Sequence, residues 1–140
     1  MSVGRGQRLN DTLRDVFRGT SETVRWCIVT NERGLIVASI TDIGPQEEKL
    51  AAMASLLSET SKRISTNIEG GKFDTANIEF SGHRMSMAEF PVRGRPFRIA
   101  VVTSQARPAG LMNRLRRLRH PGVTKLLSTA AVRIAQILEE

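Results

Sequence analysis

A chain of 140 residues is long enough for one domain with a real core and too short for two comfortable ones. Hydrophobic residues make up 40% and charged residues 25%, which is the mix of an ordinary soluble globular protein, and no apolar run approaches the length of a membrane span. The N-terminus lacks the apolar core of a secretory signal, so we expect the protein to be cytoplasmic.

The N-terminal segment divides into a tail and a short helix. Residues 1–7 carry two glycines and no apolar period, which predicts a flexible tail. The helix is predicted to begin at about Arg8 and to end near Gly19. Its apolar residues recur at helical spacing and are Leu9, Leu13, Val16 and Phe17.

A β-hairpin is predicted next. Val24–Thr30 and Gly34–Thr41 are rich in β-branched and apolar residues, as strands are. The four residues Asn31–Gly34 form a tight turn signal, with glycine available for positive φ. The single cysteine, Cys27, lies in the apolar run of the first strand, so we expect it to be a buried packing residue.

A long helix over residues 46–67 is the element around which we expect the rest of the chain to pack. Two glycines, Gly70 and Gly71, follow its end. One stripe along it is mainly apolar and is predicted to lie on a sheet: Leu50, Met53, Ala54, Leu57, Ser61 and Ile64. A second stripe is made mostly of small residues that would let another backbone approach closely: Ala51, Ser55, Ser58 and Lys62.

Three further strands and a helix complete the pattern. Strands are predicted at Thr75–Phe80, Arg84–Phe90 and Phe97–Thr103, and the run Ile99–Val102 indicates a central strand buried on both faces. An apolar series with helical spacing runs from Val123 to Leu138. We therefore predict an α/β fold of the α+β type: a five-stranded antiparallel sheet with the long helix on one face and the other two helices on the opposite face. Residues 8–140 would form this single domain.

A basic segment at about 105–122 is predicted to be an insertion before the last helix. From Gln105 to Lys125 the chain carries six positive charges and no acidic residue, within a formal net charge of +7. Such a segment is often only a solvated surface, but it also fits contact with anionic lipid, an acidic protein or nucleic acid. The predicted polyanion contacts are Arg107, Arg114, Arg116, Arg117, Arg119 and Lys125.

No constellation of catalytic, metal or cofactor residues is apparent in the sequence. A nucleotide-hydrolysing P-loop motif does not occur, and His83 and His120 have no ligand partners at metal spacing. The acidic residues Asp42, Glu47 and Glu48 are more simply explained by the positive end of the long helix. We therefore predict that the protein is not an enzyme and that it has no cofactor.

The order of the elements and certain residues together resemble the Roadblock/LC7 family. The matching features are the hairpin Trp26–Ser39 with its Gly-Leu-Ile-Val-Ala-Ser strand, the Ala-rich helix around Leu50–Leu57, and the later strand Phe97–Val102. The resemblance covers about residues 8–104 and the last helix, whereas the basic insertion departs from the family pattern. It implies a small dimeric α/β module that binds and regulates Ras-like GTPases or acts as a scaffold, without a catalytic triad of its own.

Three functions follow as hypotheses. The first is a homodimeric regulator of a small Ras-like GTPase, the second an adaptor or scaffold that docks on a polyanionic surface, and the third a small-molecule sensor of PAS-like or profilin-like architecture. For the dimer we predict pairing through the long helix and the strand Thr75–Phe80. The predicted interface residues are Ala51, Ser55, Ser58, Lys62, Thr75, Asn77 and Glu79, and the predicted GTPase contacts are Glu48, Glu59 and Arg63.

Overall fold

The structure is a computed structural model that describes residues 4–18, 20, 23–41, 47–69, 75–80, 82–104 and 123–140. Its helices are α1 (Arg5–Phe17), α2 (Glu47–Asn67) and α3 (Val123–Leu138). Its strands are β1 (Thr23–Thr30), β2 (Ile36–Thr41), β3 (Thr75–Phe80), β4 (His83–Val92) and β5 (Arg95–Ser104). The segment 105–122, which holds the basic insertion, lies outside the described residues.

The five strands form one antiparallel sheet in the order β2-β1-β5-β4-β3. Helices α1 and α3 pack together on one face, and α2 lies on the other. This confirms the predicted fold class. The middle strand β5 sends Ile99 and Val101 into the α1/α3 core and Ala100 and Val102 into the α2 core, so its unbroken apolar run does mark burial on both faces.

The α1/α3 side holds the larger core. Helix periodicity places Leu13 of α1 and Leu127 and Ile134 of α3 in full burial against alternate residues of β1, β4 and β5. Cys27 is buried here as predicted, and burial raises the pKa of its thiol well above its ordinary value. The thiol is therefore a neutral packing group.

Two element boundaries differ from the sequence prediction. Helix α1 begins at Arg5, so residues 5–7 belong to the helix and not to a tail. Arg5 and Arg8 reach the C-terminal residue: Arg5 donates to the Glu140 main-chain oxygen at 3.1 Å, and Arg8 Nη2 donates to Glu140 Oε1 at 2.8 Å. These contacts join residues more than 130 positions apart, which local pattern could not reveal.

Strand β2 begins at Ile36, two residues later than predicted, because the turn before it is longer. The Asn31 side chain accepts hydrogen bonds from the backbone N–H groups of Arg33 at 2.9 Å and Leu35 at 3.0 Å. Gly34 adopts φ of 82°, a left-handed conformation in which glycine is favoured. The turn therefore extends to Leu35 and presents that side chain to solvent.

Asn10 of α1 holds the outer side of β2. Its Oδ1 accepts a hydrogen bond of 3.0 Å from the backbone N–H of Ser39, and both residues are half-buried. Among the described strands β2 pairs with β1 alone, so this side chain occupies one donor of an edge strand that would otherwise be open to another chain.

We expect Asn10→Ala to lower the free energy of unfolding by about 1 kcal/mol, the typical net contribution of such a hydrogen bond. Urea denaturation followed by circular dichroism measures the change. Asn67→Ala, at an exposed position at the end of α2, is the matched control and should stay within about 0.5 kcal/mol of the wild type. Equal stability of the two variants would contradict the role given to Asn10.

Candidate protein-interaction surface

Helix α2 exposes a line of large apolar residues. Met53 and Leu56 lie on its outer side in the first half, and Ile64 and Ile68 continue the line at the C-terminal end. Their relative exposures are 54% for Met53, 65% for Leu56, 55% for Ile64 and 70% for Ile68. Single exposed apolar residues are common, but three on one helix and a fourth directly after it are typical of an interaction surface.

The edge strand β3 adds to this surface. Ile78, which is 45% exposed, pairs with Met85 of β4, and Met85 belongs to the core beneath α2. Ile78 therefore lies on the α2 face of the sheet. Among the described strands β3 pairs with β4 alone, so its outer backbone groups are available to a further strand. We call Met53, Leu56, Ile64, Ile68 and Ile78 the apolar stripe.

The structure corrects which residues of α2 face the sheet. Leu50 and Ala54 are buried as predicted, but Met53 and Ile64 are exposed. At 100° per residue, Met53 lies about 100° and Ile64 about 80° from Ala54, the centre of the buried side. The predicted stripe was therefore wider than the strip of helix that the sheet covers.

The small residues Ala51 and Ser58 fill that strip instead. Ala51 is 5% exposed and Ser58 is 0% exposed within a single chain. Burial within one chain leaves little of either side chain for a second helix, and their place in a dimer interface stays a prediction. Small side chains do permit a close approach here, but it is the approach of α2 to its own sheet.

The other helical residues of that prediction also have contacts within the chain. Lys62 Nζ lies 2.9 Å from Glu89 Oε2 of β4, and the Ser58 hydroxyl donates to the same oxygen at 3.0 Å. Arg98 of β5, which is buried, places its Nε 3.8 Å from that oxygen. Glu89 thus gathers two cations and a hydroxyl between α2 and the sheet.

The predicted interface residues of β3 are all exposed, and they lie on the other face of the sheet from Ile78 because side chains alternate along a strand. Asn77 accepts a hydrogen bond of 2.6 Å from the buried Ser86 hydroxyl. Thr75 and Glu79 flank it on the same face. These three residues lie on the edge strand, and their role in a dimer interface stays a prediction.

The predicted GTPase contacts Glu48, Glu59 and Arg63 are exposed on α2. Glu48 also lines a groove of about 420 Å³ between the first half of α2 and the β1–β2 turn. On the α2 side the groove is lined by Ala51, Ala52 and Ser55. On the other side it is lined by residues of the turn and β2: Arg33, Gly34, Leu35 and Ile36. Sequence analysis missed this groove, because only the folded chain brings the turn beside the helix.

The groove and the apolar stripe lie on different sides of α2. Ser55 follows the buried Ala54 and Met53 precedes it, so at 100° per residue they point about 100° to either side of the sheet-facing line. Ser55 is half-buried in the groove and Met53 is exposed in the stripe. Helix α2 therefore presents two separate surfaces.

Of the predicted polyanion contacts, only Lys125 lies within the described residues. It is exposed in the first turn of α3. The predicted contacts Arg107, Arg114, Arg116, Arg117 and Arg119 lie outside the described residues. No helix in the described part of the chain is long and apolar enough to cross a membrane.

Comparison with known proteins identifies the architecture. No protein-family model matches the sequence, and a search of curated proteins finds no significant match. Among solved structures, a Roadblock/LC7 domain from Streptomyces avermitilis superposes with a TM-score of 0.68 at 11% identity, over 94% of this chain and 98% of that chain. This chain has the Roadblock/LC7 fold.

Two MglB structures are similar to this chain over nearly the whole of both chains. An MglB described as having a tetrameric arrangement gives a TM-score of 0.71 at 16% identity, over 99% of this chain and 93% of that one. MglB from Myxococcus xanthus gives 0.66 at 15% identity, over 94% and 95%. The resemblance seen in the hairpin and the Ala-rich helix is thus confirmed at the level of the fold.

Proposed function

We propose that this chain is a non-catalytic, homodimeric interaction module that binds a Ras-like small GTPase and alters its nucleotide cycle. The observation that carries the proposal is the apolar stripe on the outer side of α2 and the α2 face of β3, in a Roadblock/LC7 fold. Exposed apolar side chains are stabilised when another surface removes them from water, and the same stripe on a second copy is an apolar surface of this kind.

In the proposed dimer, two β3 strands pair at the seam and two α2 helices pack through their stripes. Strand pairing satisfies the outer backbone groups of β3, and helix packing removes Met53, Leu56 and Ile64 from water. The sheet would then continue through both subunits. This arrangement replaces the predicted contact through Ala51 and Ser58, which the chain's own sheet already covers.

The GTPase contact is proposed on the α2 side of the dimer, where Glu48, Glu59 and Arg63 are exposed. The Roadblock/LC7 resemblance and the MglB neighbours support a regulatory partner of this class. A surface that binds one conformation of mobile switch loops better by about 1.4 kcal/mol shifts the population about tenfold. Positioning of this kind needs no catalytic side chain.

We expect a Ras-like GTPase to co-purify with the tagged protein from native lysate and to bind one nucleotide state at least tenfold more tightly. Isothermal titration of the purified GTPase, loaded in turn with GDP and with a non-hydrolysable GTP analogue, measures the two dissociation constants. Absence of binding to either form, together with strong binding to nucleic acid or anionic vesicles, would overturn the proposal in favour of a polyanion adaptor acting through residues 107–125.

A further inference from the structure

The groove beside the β1–β2 turn has an apolar floor that the chain leaves uncovered. Leu35, at the end of the turn, is 60% exposed, and Ala52 is exposed beside it on α2. Gly34 brings the turn so close to the helix that a Cβ built there would lie 3.2 Å from Ser55 Oγ. The turn and the helix therefore form the two walls of a narrow apolar surface.

The rims of the groove carry two charges of opposite sign. Arg33 stands on the turn and Glu48 on α2, and within the described part of the chain neither makes a salt bridge. Two other pairs lie near the groove: Glu32 with Arg95 at 3.0 Å, and Lys62 with Glu89 at 2.9 Å. Among the residues that line the groove, Arg33 and Glu48 are the two that carry a charge.

The groove is accessible in the proposed dimer. Its helical residues lie on the Ser55 side of α2, whereas the apolar stripe that the second copy would cover lies on the Met53 side. A ligand of the groove and the partner subunit would therefore not compete for the same side of the helix. The groove adjoins the same helix that the proposed GTPase contact uses.

We propose that this groove binds a short segment of the GTPase that carries an apolar side chain between an acidic and a basic residue. This inference rests on the proposed function and deepens it. The apolar side chain covers Leu35 and Ala52, the acidic residue pairs with Arg33, and the basic residue pairs with Glu48. Opposite charges on the two rims fix the direction of the segment, because the reversed segment would place like charges together.

The test uses the purified GTPase from the lysate experiment and the full chain. Ala52→Arg places a large side chain in the groove, and Leu35→Ser removes apolar surface at a turn position that is 60% exposed. We expect each to weaken the GTPase dissociation constant at least tenfold while the mass in sedimentation stays that of the wild type. Thr129→Arg, which adds the same charge at an exposed site on α3, is the matched control and should bind like the wild type.

Exchanging the two rim charges tests whether binding depends on their positions or only on the net charge of the protein. The double variant Arg33→Glu with Glu48→Arg keeps the total charge and reverses the two rims, and we expect it also to bind at least tenfold more weakly. If the wild-type chain binds the GTPase and all the groove variants bind within twofold of it, the groove inference is wrong and the proposed function stands. If the wild-type chain binds no GTPase, the proposed function fails and this inference fails with it.

Discussion

Leu56→Arg should convert the proposed dimer into a monomer at tens of micromolar protein. Leu56 is 65% exposed in one chain and lies between Met53 and Ile64 along the stripe. In the dimer its side chain would be covered by apolar residues of the second copy, and an arginine there would bury an unpaired charge. Central apolar contacts of this kind commonly contribute 2 kcal/mol or more, so we expect the dimer dissociation constant to rise by a factor of roughly 30 or greater.

Sedimentation velocity over a dilution series measures this change, and Val132→Arg is its control. Val132 is 58% exposed on α3, on the opposite face of the molecule, so it offers nearly the same exposure and the same substitution away from the stripe. The control should remain dimeric. A wild-type monomer, or equal masses for Leu56→Arg and Val132→Arg, would contradict the homodimer. Ser55→Arg should also leave the dimer intact, because Ser55 lines the groove.

The fold could be predicted from the sequence because the apolar residues of each helix and strand recur at the spacing typical of that element. Apolar spacing in α3 and alternation in β3 and β4 depend only on near neighbours in the chain. The run Ile99–Val102 even indicates that β5 is central, since a strand covered on one face alone would alternate. Local pattern is sufficient where one side of an element meets the core and the other meets water.

The candidate site was harder to predict because α2 has more apolar and small positions than its sheet can cover. Met53 and Ala51 are both compatible with a sheet-facing stripe by spacing, and only the packing decides that Ala51 is covered and Met53 exposed. Ser58 was predicted to face another helix because small side chains let another backbone approach closely. Its burial depends on Glu89, a hydrogen-bond partner 31 residues away.

The groove depends on the same kind of distant contact. The Asn31 hydrogen bonds shape the turn, and the turn meets α2 only after β1 and β2 have joined the sheet. Arg33 and Glu48 line one groove only in the folded chain, since β2 separates the turn and the helix that carry them in the sequence. No spacing rule would have selected these two charges.

We expect Glu89→Ala to destabilise the protein strongly, because it removes the acceptor shared by three side chains. Arg98 is 8% exposed, and Glu89 is the acidic partner that the described residues give it, so without Glu89 its charge would lose that partner while remaining buried. Removing one partner of a buried ion pair costs about 3–5 kcal/mol, and the partial exposure of Glu89 and Lys62 reduces this to about 2–4 kcal/mol here. Urea denaturation at one fixed protein concentration measures the change, since dimer formation makes stability concentration-dependent.

Two variants separate the buried charge from the other contributions of Glu89. Glu89→Gln keeps the size and an acceptor oxygen for Ser58 but removes the negative charge, so it should also destabilise the protein, though less than Glu89→Ala. Glu32→Ala removes the partner of Arg95, a residue whose side chain is 69% exposed, and should cost less than about 1 kcal/mol. Hydrogen bonds from its own backbone N–H and from Arg95 lower the pKa of Glu32, so acid titration offers a second probe of that exposed pair.

Similar losses of stability for Glu89→Ala and Glu32→Ala would mean that Arg98 finds water or another acceptor when Glu89 is removed. Solvent access to Arg98 would then show that the second half of α2, which has no apolar residue fully buried after Ala54, lifts from the sheet more easily than its contacts with Glu89 imply.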